Sequence, residues 1–509
     1  MQKRAVVSVV SMMLLFSLFL VSSMALGAGF NYYTSPASIW TQCTQAFPCT
    51  LQTALQKAAA DGLDSIIYVG PGTYDISAKG TLIYSTNDGD GRLSIVALEP
   101  DSKPVLDGKD TVQILSIDND ANGDNAGDTS LVQIQSLIFQ NGKAGGSGGA
   151  LFIKTGEAAV IVDTCEFSQN FTSAWGGGVY ITSHTADISL SGNVFSGNTG
   201  HYGGGVYSNS YSGTAALTNN TFSNNHANRG GGAFVTFEKF GEVALGGNSF
   251  DGNIADNQGG GLWIYAVNSA TLNANTFVDN QTQNGGGGAM VVVGSGHATL
   301  TNNILDGNIA FSGAGVYVDA VSGTVISITN NTFTKNHANF SSAGGAYVRL
   351  SDDAAADIYN NIFWANIAEG TADDVYIWAD ADGDGTGSIV RLYNNDFSGN
   401  AVFAEDSDSN PGNGILESED LYITDTDNYH YGRNIQQDPM FVDASSGDFH
   451  IRRGSPCINK GTSLASELPE TDFEGDSRTI GSAPDMGADE SLRGGSGATP
   501  WLQLLLDAN

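Results

Sequence analysis

The 509-residue chain is short of positive charge: 20 Lys and Arg stand against 54 Asp and Glu, a formal net charge of −34. A surface of that sign repels phosphate backbones and anionic lipid, which excludes nucleic acid and acidic membrane surfaces as direct partners. Proline is scarce at 11 residues, and the four cysteines show none of the spacings that a zinc site or a haem attachment needs. Past residue 28 no apolar run is long enough to cross a bilayer, and no run of amphipathic strands remains at the C-terminus to build a transmembrane barrel. Helical periodicity is missing from the body of the chain as well, which excludes a helical repeat.

Glycine, by contrast, is abundant at 66 residues, and it is ordered. Nine times between Leu151 and Ile377 a run of small residues precedes a short apolar triplet. Each triplet belongs to a repeat of about 28 residues marked Asn-x-Phe-x-x-Asn and then glycine, as in Asn193-Val194-Phe195-Ser196-Gly197-Asn198 before Gly203-Gly204-Gly205. The marker recurs at Phe139, Phe167, Phe195, Phe222, Phe250, Phe277, Leu305, Phe333, Phe363 and Phe397. Spacings of 27 or 28 stretch to 30 and 34 only at the last two steps. Such a period marks a solenoid, because one repeat cannot bury its own apolar face and stacking creates the core. Two segments per repeat alternate with period two, as in Val179-Tyr180-Ile181-Thr182 and Ile188-Ser189-Leu190, and read as half-buried strands. Like strands stacked about 4.8 Å apart make a parallel β-helix.

Two columns of asparagine support this coil. One runs through Asn193, Asn220, Asn248, Asn275, Asn303, Asn331, Asn361 and Asn395; the other through Asn170, Asn198, Asn225, Asn253, Asn280, Asn308, Asn336, Asn366 and Asn400. Asparagine tolerates the left-handed backbone of a tight corner, and stacked amides can hydrogen-bond along a column, so both are read as corner ladders. Cys165 stands in the first column and is expected to be a small buried thiol.

The paired Phe-x-x-Asn and Gly-Gly-Ala/Val motifs resemble those of the chlamydial polymorphic outer-membrane proteins and related right-handed parallel β-helix proteins of the pectin-lyase-like superfold. Pro48-Cys49-Thr50-Leu51-Gln52-Thr53-Ala54-Leu55 and Ile67-Tyr68-Val69-Gly70-Pro71-Gly72-Thr73-Tyr74 look like the capping helix and first strand of such proteins. Asp438-Pro439-Met440-Phe441, Gly447-Asp448-Phe449-His450, Gly454-Ser455-Pro456-Cys457 and Asp485-Met486-Gly487-Ala488-Asp489-Glu490 resemble the C-terminal segment of bacterial choice-of-anchor Q β-helix proteins. The resemblance implies an all-β chain folded as a single right-handed parallel β-helix (solenoid), with an N-terminal capping helix and an irregular C-terminal segment. It implies little about activity, since the superfold hosts lyases, hydrolases, adhesins and structural proteins.

The expected organisation is a signal peptide at 1–28, an N-terminal cap and first rungs at 29–130, and the repeat region at 131–400. Final rungs and a choice-of-anchor-Q-like segment follow at 401–490, then a flexible tail at 491–509. The leader reading rests on Lys3 and Arg4 followed by an apolar stretch and small residues through Ala28, and it places the protein outside a bacterial cell or on its surface; its rival is an uncleaved anchor, since the apolar run is nearly long enough to span a bilayer. In that oxidising setting Cys43 and Cys49 are close enough to pair, whereas Cys165 and Cys457 lie too far apart.

Three features could carry chemistry. Acidic loops Asp118-Asn119-Asp120-Ala121-Asn122-Gly123-Asp124 and Asp380-Ala381-Asp382-Gly383-Asp384-Gly385 open like EF-hand calcium loops, with Asp118, Asp120, Asn122, Asp124, Asp380, Asp382 and Asp384 as candidate Ca2+ ligands. Neither loop supplies the closing glutamate; Asn87-Asp88-Gly89-Asp90-Gly91 is a third acidic turn. A uronate lyase would need a metal-bridging carboxylate cluster with a Lys or Arg base. Arg349 is the best such candidate, yet Asp319, one rung earlier, is expected to pair with it. The third feature is an aromatic column at the second residue of each post-glycine strand, with Tyr180, Tyr207, Phe234, Trp263, Tyr317, Tyr347 and Tyr376 as candidate ligand-binding residues. Alternation points these rings outward, and an exposed apolar stripe marks an interaction surface. The sequence therefore leads to a secreted or cell-surface binding and structural module, with an extracellular glycan or surface partner. The alternatives are a polysaccharide lyase or hydrolase and a purely structural surface protein; the oligomeric state is left open.

Overall fold

The computed structural model describes residues 29–86, 91–121, 123, 131–321, 323–351, 353–379, 388–398, 402–406, 429–465 and 467–491. The expected leader, the residues after Ser491 and Asn400 lie outside them. The chain winds as a right-handed parallel β-solenoid. Each rung holds a post-glycine strand such as Val179–Ser183, a second strand such as Ile188–Ser191 and a third centred on the marker ring, such as Val194–Ser196. Most rungs add a two-residue piece after the second asparagine, as at Phe171–Thr172. The marker strand, part of the corner in the sequence reading, is a strand in its own right and builds an 11-stranded sheet. Every pairing between rungs is parallel and nearly all are in register, so Phe167 lies on Phe195 and Tyr180 on Tyr207.

The interior is narrow and filled by stacked side chains. Marker rings from Phe139 to Phe277 stack with centroids 4.6–5.0 Å apart, all fully buried. Between the sheets the asparagine columns turn the chain. Asn253 Nδ2 donates to Phe222 O and to Asn280 Oδ1 (both 2.9 Å), while its own Oδ1 accepts from Asn225 N (3.0 Å) and Asn225 Nδ2 (2.9 Å). The first column continues one step past Asn395, onto Asn434. Positive φ, expected at the column asparagines, belongs instead to the residue before each: Gly192, Asn219, Gly247 and Ala274 in one column, Asn224, Gly252 and Asp279 in the other. The column residue is thereby freed to direct its amide into the core. Cys165 is buried as expected, and burial pushes its thiol up to about 12. The glycine block follows from the same crowding: a Cβ at Gly261 would lie 2.6 Å from Gly288 O and 3.1 Å from Asn280 Cγ.

The N-terminal end of the coil is covered. Helix Leu51–Asp61, N-capped by the Thr50 hydroxyl and ended by Gly62 at φ 62°, buries Leu51, Ala54, Leu55 and Ala58. The Cys43–Cys49 disulfide forms just before it. The first strand is Phe30–Thr34, ahead of the helix and paired with Ser65–Val69, rather than the expected segment at Ile67. After the last rung the chain turns back along the side of the coil. There Asn302, Asn330, Asn360 and Asn394 donate to the carbonyls of Thr471, Asp485, Thr462 and Lys460 at 2.7–3.0 Å. Arg478, 1% exposed, reaches Asn302 Oδ1 (2.5 Å) and Ala488 O (2.6 Å). Among the described residues no helix is long and apolar enough to cross a membrane.

Among the described residues the second asparagine column ends on a carboxylate. Asp374 occupies the place of Gly345 one rung later, accepts from Asn366 Nδ2 (2.9 Å) and Ser398 N (2.8 Å), and burial pushes its carboxyl up to about 8. The folded state thus holds a proton that the unfolded chain releases near pH 4. The group's contribution to stability is fully present below that value and is lost as pH rises through about 8. The thermal midpoint should fall between pH 5 and pH 8, and fall less in Asp374→Asn; identical slopes would show that Asp374 is ionised at no cost.

Candidate functional site

The outward column forms as the alternation requires: Val179 and Ile181 are fully buried in the core, while Tyr180 belongs to a separate cluster outside the coil. Its exposure differs from the expectation. Rungs about 4.8 Å apart leave no room between rings, so the faces stack on one another. Centroids from Phe152 through Tyr180, Tyr207 and Phe234 to Trp263 are 5.2, 5.3, 5.2 and 4.2 Å apart. Met290 breaks the stack, in the rung where Leu305 breaks the interior one, and Tyr317, Tyr347 and Tyr376 form a second at 4.5 and 4.9 Å. Trp175 and Tyr202 roof the first stack, with Trp175 5.3 Å from Tyr207 and Tyr202 5.3 Å from Phe234. Tyr180, Tyr207, Phe234 and Tyr376 are buried as a result; Trp263, Tyr317 and Tyr347 are half-buried. Burial also raises the hydroxyl pKa of Tyr180, Tyr207 and Tyr317.

Along the first ladder and its roof, open aromatic surface remains in two places. Trp175 is 39% exposed at the corner before the glycine block, beside Phe171 at 42%. The other is the N-terminal end of the stack, where the partner of Phe152 is Ser116, so that ring face meets a cleft instead of another ring. The cleft has a volume of about 490 Å3 and is lined by Phe152, Ser116, Gln113, Thr81, Thr111, Lys143 and the loop 144–147. Gln113 Nε2 holds that loop through Ser147 O (2.8 Å) and Gly148 O (2.6 Å). Lys143 lies 6.0 Å from the Phe171 centroid and makes no ion pair among the described residues. The alternation identified the ladder but neither its end nor its roof. A signal for the roof was present in the residues just before the glycines, Trp175, Tyr202 and Arg229, which bridge from rung to rung.

Of the Lys and Arg side chains on the post-glycine and second strands, Lys239 lies over the Tyr211 and Phe240 rings at 5.5 Å and the others pair with carboxylates. Arg349 meets Asp319 at 3.3 Å, as expected, and stacks on Trp378 at 4.9 Å; Arg391 meets Asp357 at 2.8 Å. Of the candidate calcium ligands, Asn122, Asp124, Asp380, Asp382 and Asp384 lie outside the described residues. Asp118 and Asp120 face Lys154 Nζ at 3.6 and 3.3 Å, so an ammonium occupies the cationic position between them.

A family described as "Right handed beta helix region" matches residues 105–277. No curated protein matches the sequence. Among solved structures the chain is similar to one titled "Crystal structure of pectate lyase Pel9A", at 14% identity and a TM-score of 0.45, with 92% of this chain and 98% of that chain covered.

Lys154→Ala should destabilise by about 1–2 kcal/mol, because it leaves two carboxylates without their cation. It should also make the thermal midpoint rise on adding calcium more than in the parent. A variant no more sensitive to calcium than the parent would show that these carboxylates recruit no ion. The chain thus folds as a right-handed parallel β-helix, and its first aromatic ladder lies within the matched residues 105–277.

Proposed function

We propose that this is a secreted or cell-surface bacterial β-helix that binds carbohydrate at the end of its outer aromatic ladder. The observation that carries the reading is the free face of Phe152 within the cleft, beside Gln113, Ser116 and Lys143. A sugar ring can continue the stack there as the next rung would, with its hydroxyls against the polar lining. Trp175 offers a second platform one corner away. Tyr180, Tyr207, Phe234, Trp263, Tyr317, Tyr347 and Tyr376 then serve by holding the platforms rigid, since their faces are mostly consumed by one another. The Cys43–Cys49 pair supports an oxidising location. Calcium is proposed as a structural ion only, at the loop opening at Asp380, since Lys154 holds the cationic position at Asp118 and Asp120.

The enzymatic alternative, a polysaccharide lyase or hydrolase, is carried by one observation: Lys143 is an uncommitted amine at the cleft. A polysaccharide panel scored for retention and for new reducing or unsaturated ends separates the two. Phe152→Ala and Trp175→Ala should each weaken retention at least about tenfold, the loss of one stacking contact, with the β-type circular dichroism unchanged. Retention unaffected by both would remove the glycan reading, and new chain ends that vanish in Lys143→Ala would replace it with the enzymatic one.

A further inference from the structure

The C-terminal segment holds a donor cluster that its docking does not use. His450 lies in strand Asp448–Ile451, and Asp489 accepts from Ile451 N through Oδ2 at 3.0 Å. One ligand atom from each of His450, Glu474 and Asp489 comes within 4.8 Å of the other two. The imidazole is fixed from three sides: Nδ1 is 2.6 Å from Asp448 Oδ1, Nε2 is 3.0 Å from Glu474 Oε2, and Phe473 packs 5.8 Å from the ring. A carboxylate behind one ring nitrogen is the arrangement that orients a metal-ligating histidine toward its ion.

Negative charge is in excess here. Asp448, Glu474 and Asp489 surround one imidazole, and Asp472 adds its field to Asp489. The guanidinium of Arg478 donates to the carbonyls of Gly487, Ala488 and Asp489 and to Asn302, and its ion pair is with Glu490 at 4.0 Å. Asp489 is buried and makes no ion pair within 4.0 Å among the described residues. A single protonated imidazole offsets one carboxylate; a divalent ion offsets two.

We propose that His450, Glu474 and Asp489 bind a divalent transition-metal ion of the zinc class, with Asp448 orienting the imidazole. One imidazole nitrogen with two carboxylate oxygens suits zinc, whereas calcium takes oxygen alone. The three ligands are distant in sequence within a segment whose only paired strands among the described residues are Phe441–Asp443 and Asp448–Ile451. An ion shared by them closes that segment into loops against the coil, so binding and docking are coupled.

The test is calorimetric titration of the chelator-treated full chain with zinc sulfate, and in parallel with calcium chloride, each followed by a thermal melt. One equivalent of zinc should bind and raise the midpoint, and calcium should not compete for it. Glu474→Gln, at an exposed carboxylate, and His450→Gln should each weaken zinc binding at least tenfold, with circular dichroism unchanged. Asp251→Asn, an exposed carboxylate on the repeats, should bind as the parent does. Absence of zinc binding by the parent, or binding that survives both ligand variants, overturns the proposal and leaves a histidinium held between carboxylates.

Discussion

Everything in this coil depends on a buried side-chain amide that is satisfied mainly by its own copies one rung away. An asparagine amide offers two donors and two acceptor sites. In Asn253 all four are used, three of them on neighbouring members of the column or their backbone. Each bond contributes only about 1 kcal/mol net, but an unmade one at a fully buried site costs about 1–3 kcal/mol. The columns therefore fix register: slipping one rung against the next strands every amide between them. Glycine before most post-glycine strands and positive φ before each column residue follow from the same demand for space and direction.

The same spacing governs what the outside can do. Rings repeated every rung pack face to face, which protects the strands and removes most of the aromatic surface from use. Ladder ends and exposed corners are then the positions from which such a surface can recognise anything. Phe152 and Trp175 occupy them, and the cleft beside Phe152 is where aromatic, amide, hydroxyl and amine groups converge. Binding at the end of a stack is a reading of function that the interior geometry itself suggests.

The repeat period, the strand parity and both asparagine columns were legible in the sequence because each recurs rung after rung. The left-handed residue was misplaced by one because the sequence shows which residue repeats, not which of two neighbours turns. The docking of the C-terminal segment had a signal, doubled asparagines at Asn302-Asn303, Asn330-Asn331, Asn360-Asn361 and Asn394-Asn395, where one amide enters the column and its neighbour faces outward to hold the returning chain. The cleft and the His450 cluster had none, since they join residues that no period links. Exposure of the ring column was overestimated because alternation gives direction, while the contact between like rings depends on rung spacing.

Residue-resolved hydrogen exchange tests the asparagine account most directly. The backbone amides of Asn198, Asn225 and Asn253 donate to column oxygens instead of to strand carbonyls. They should exchange as slowly as the core strands, only through global unfolding, and Asn253→Ala should release Asn225 selectively. Exchange of these corner amides at loop rates in the parent would contradict the claim that the columns hold the coil together.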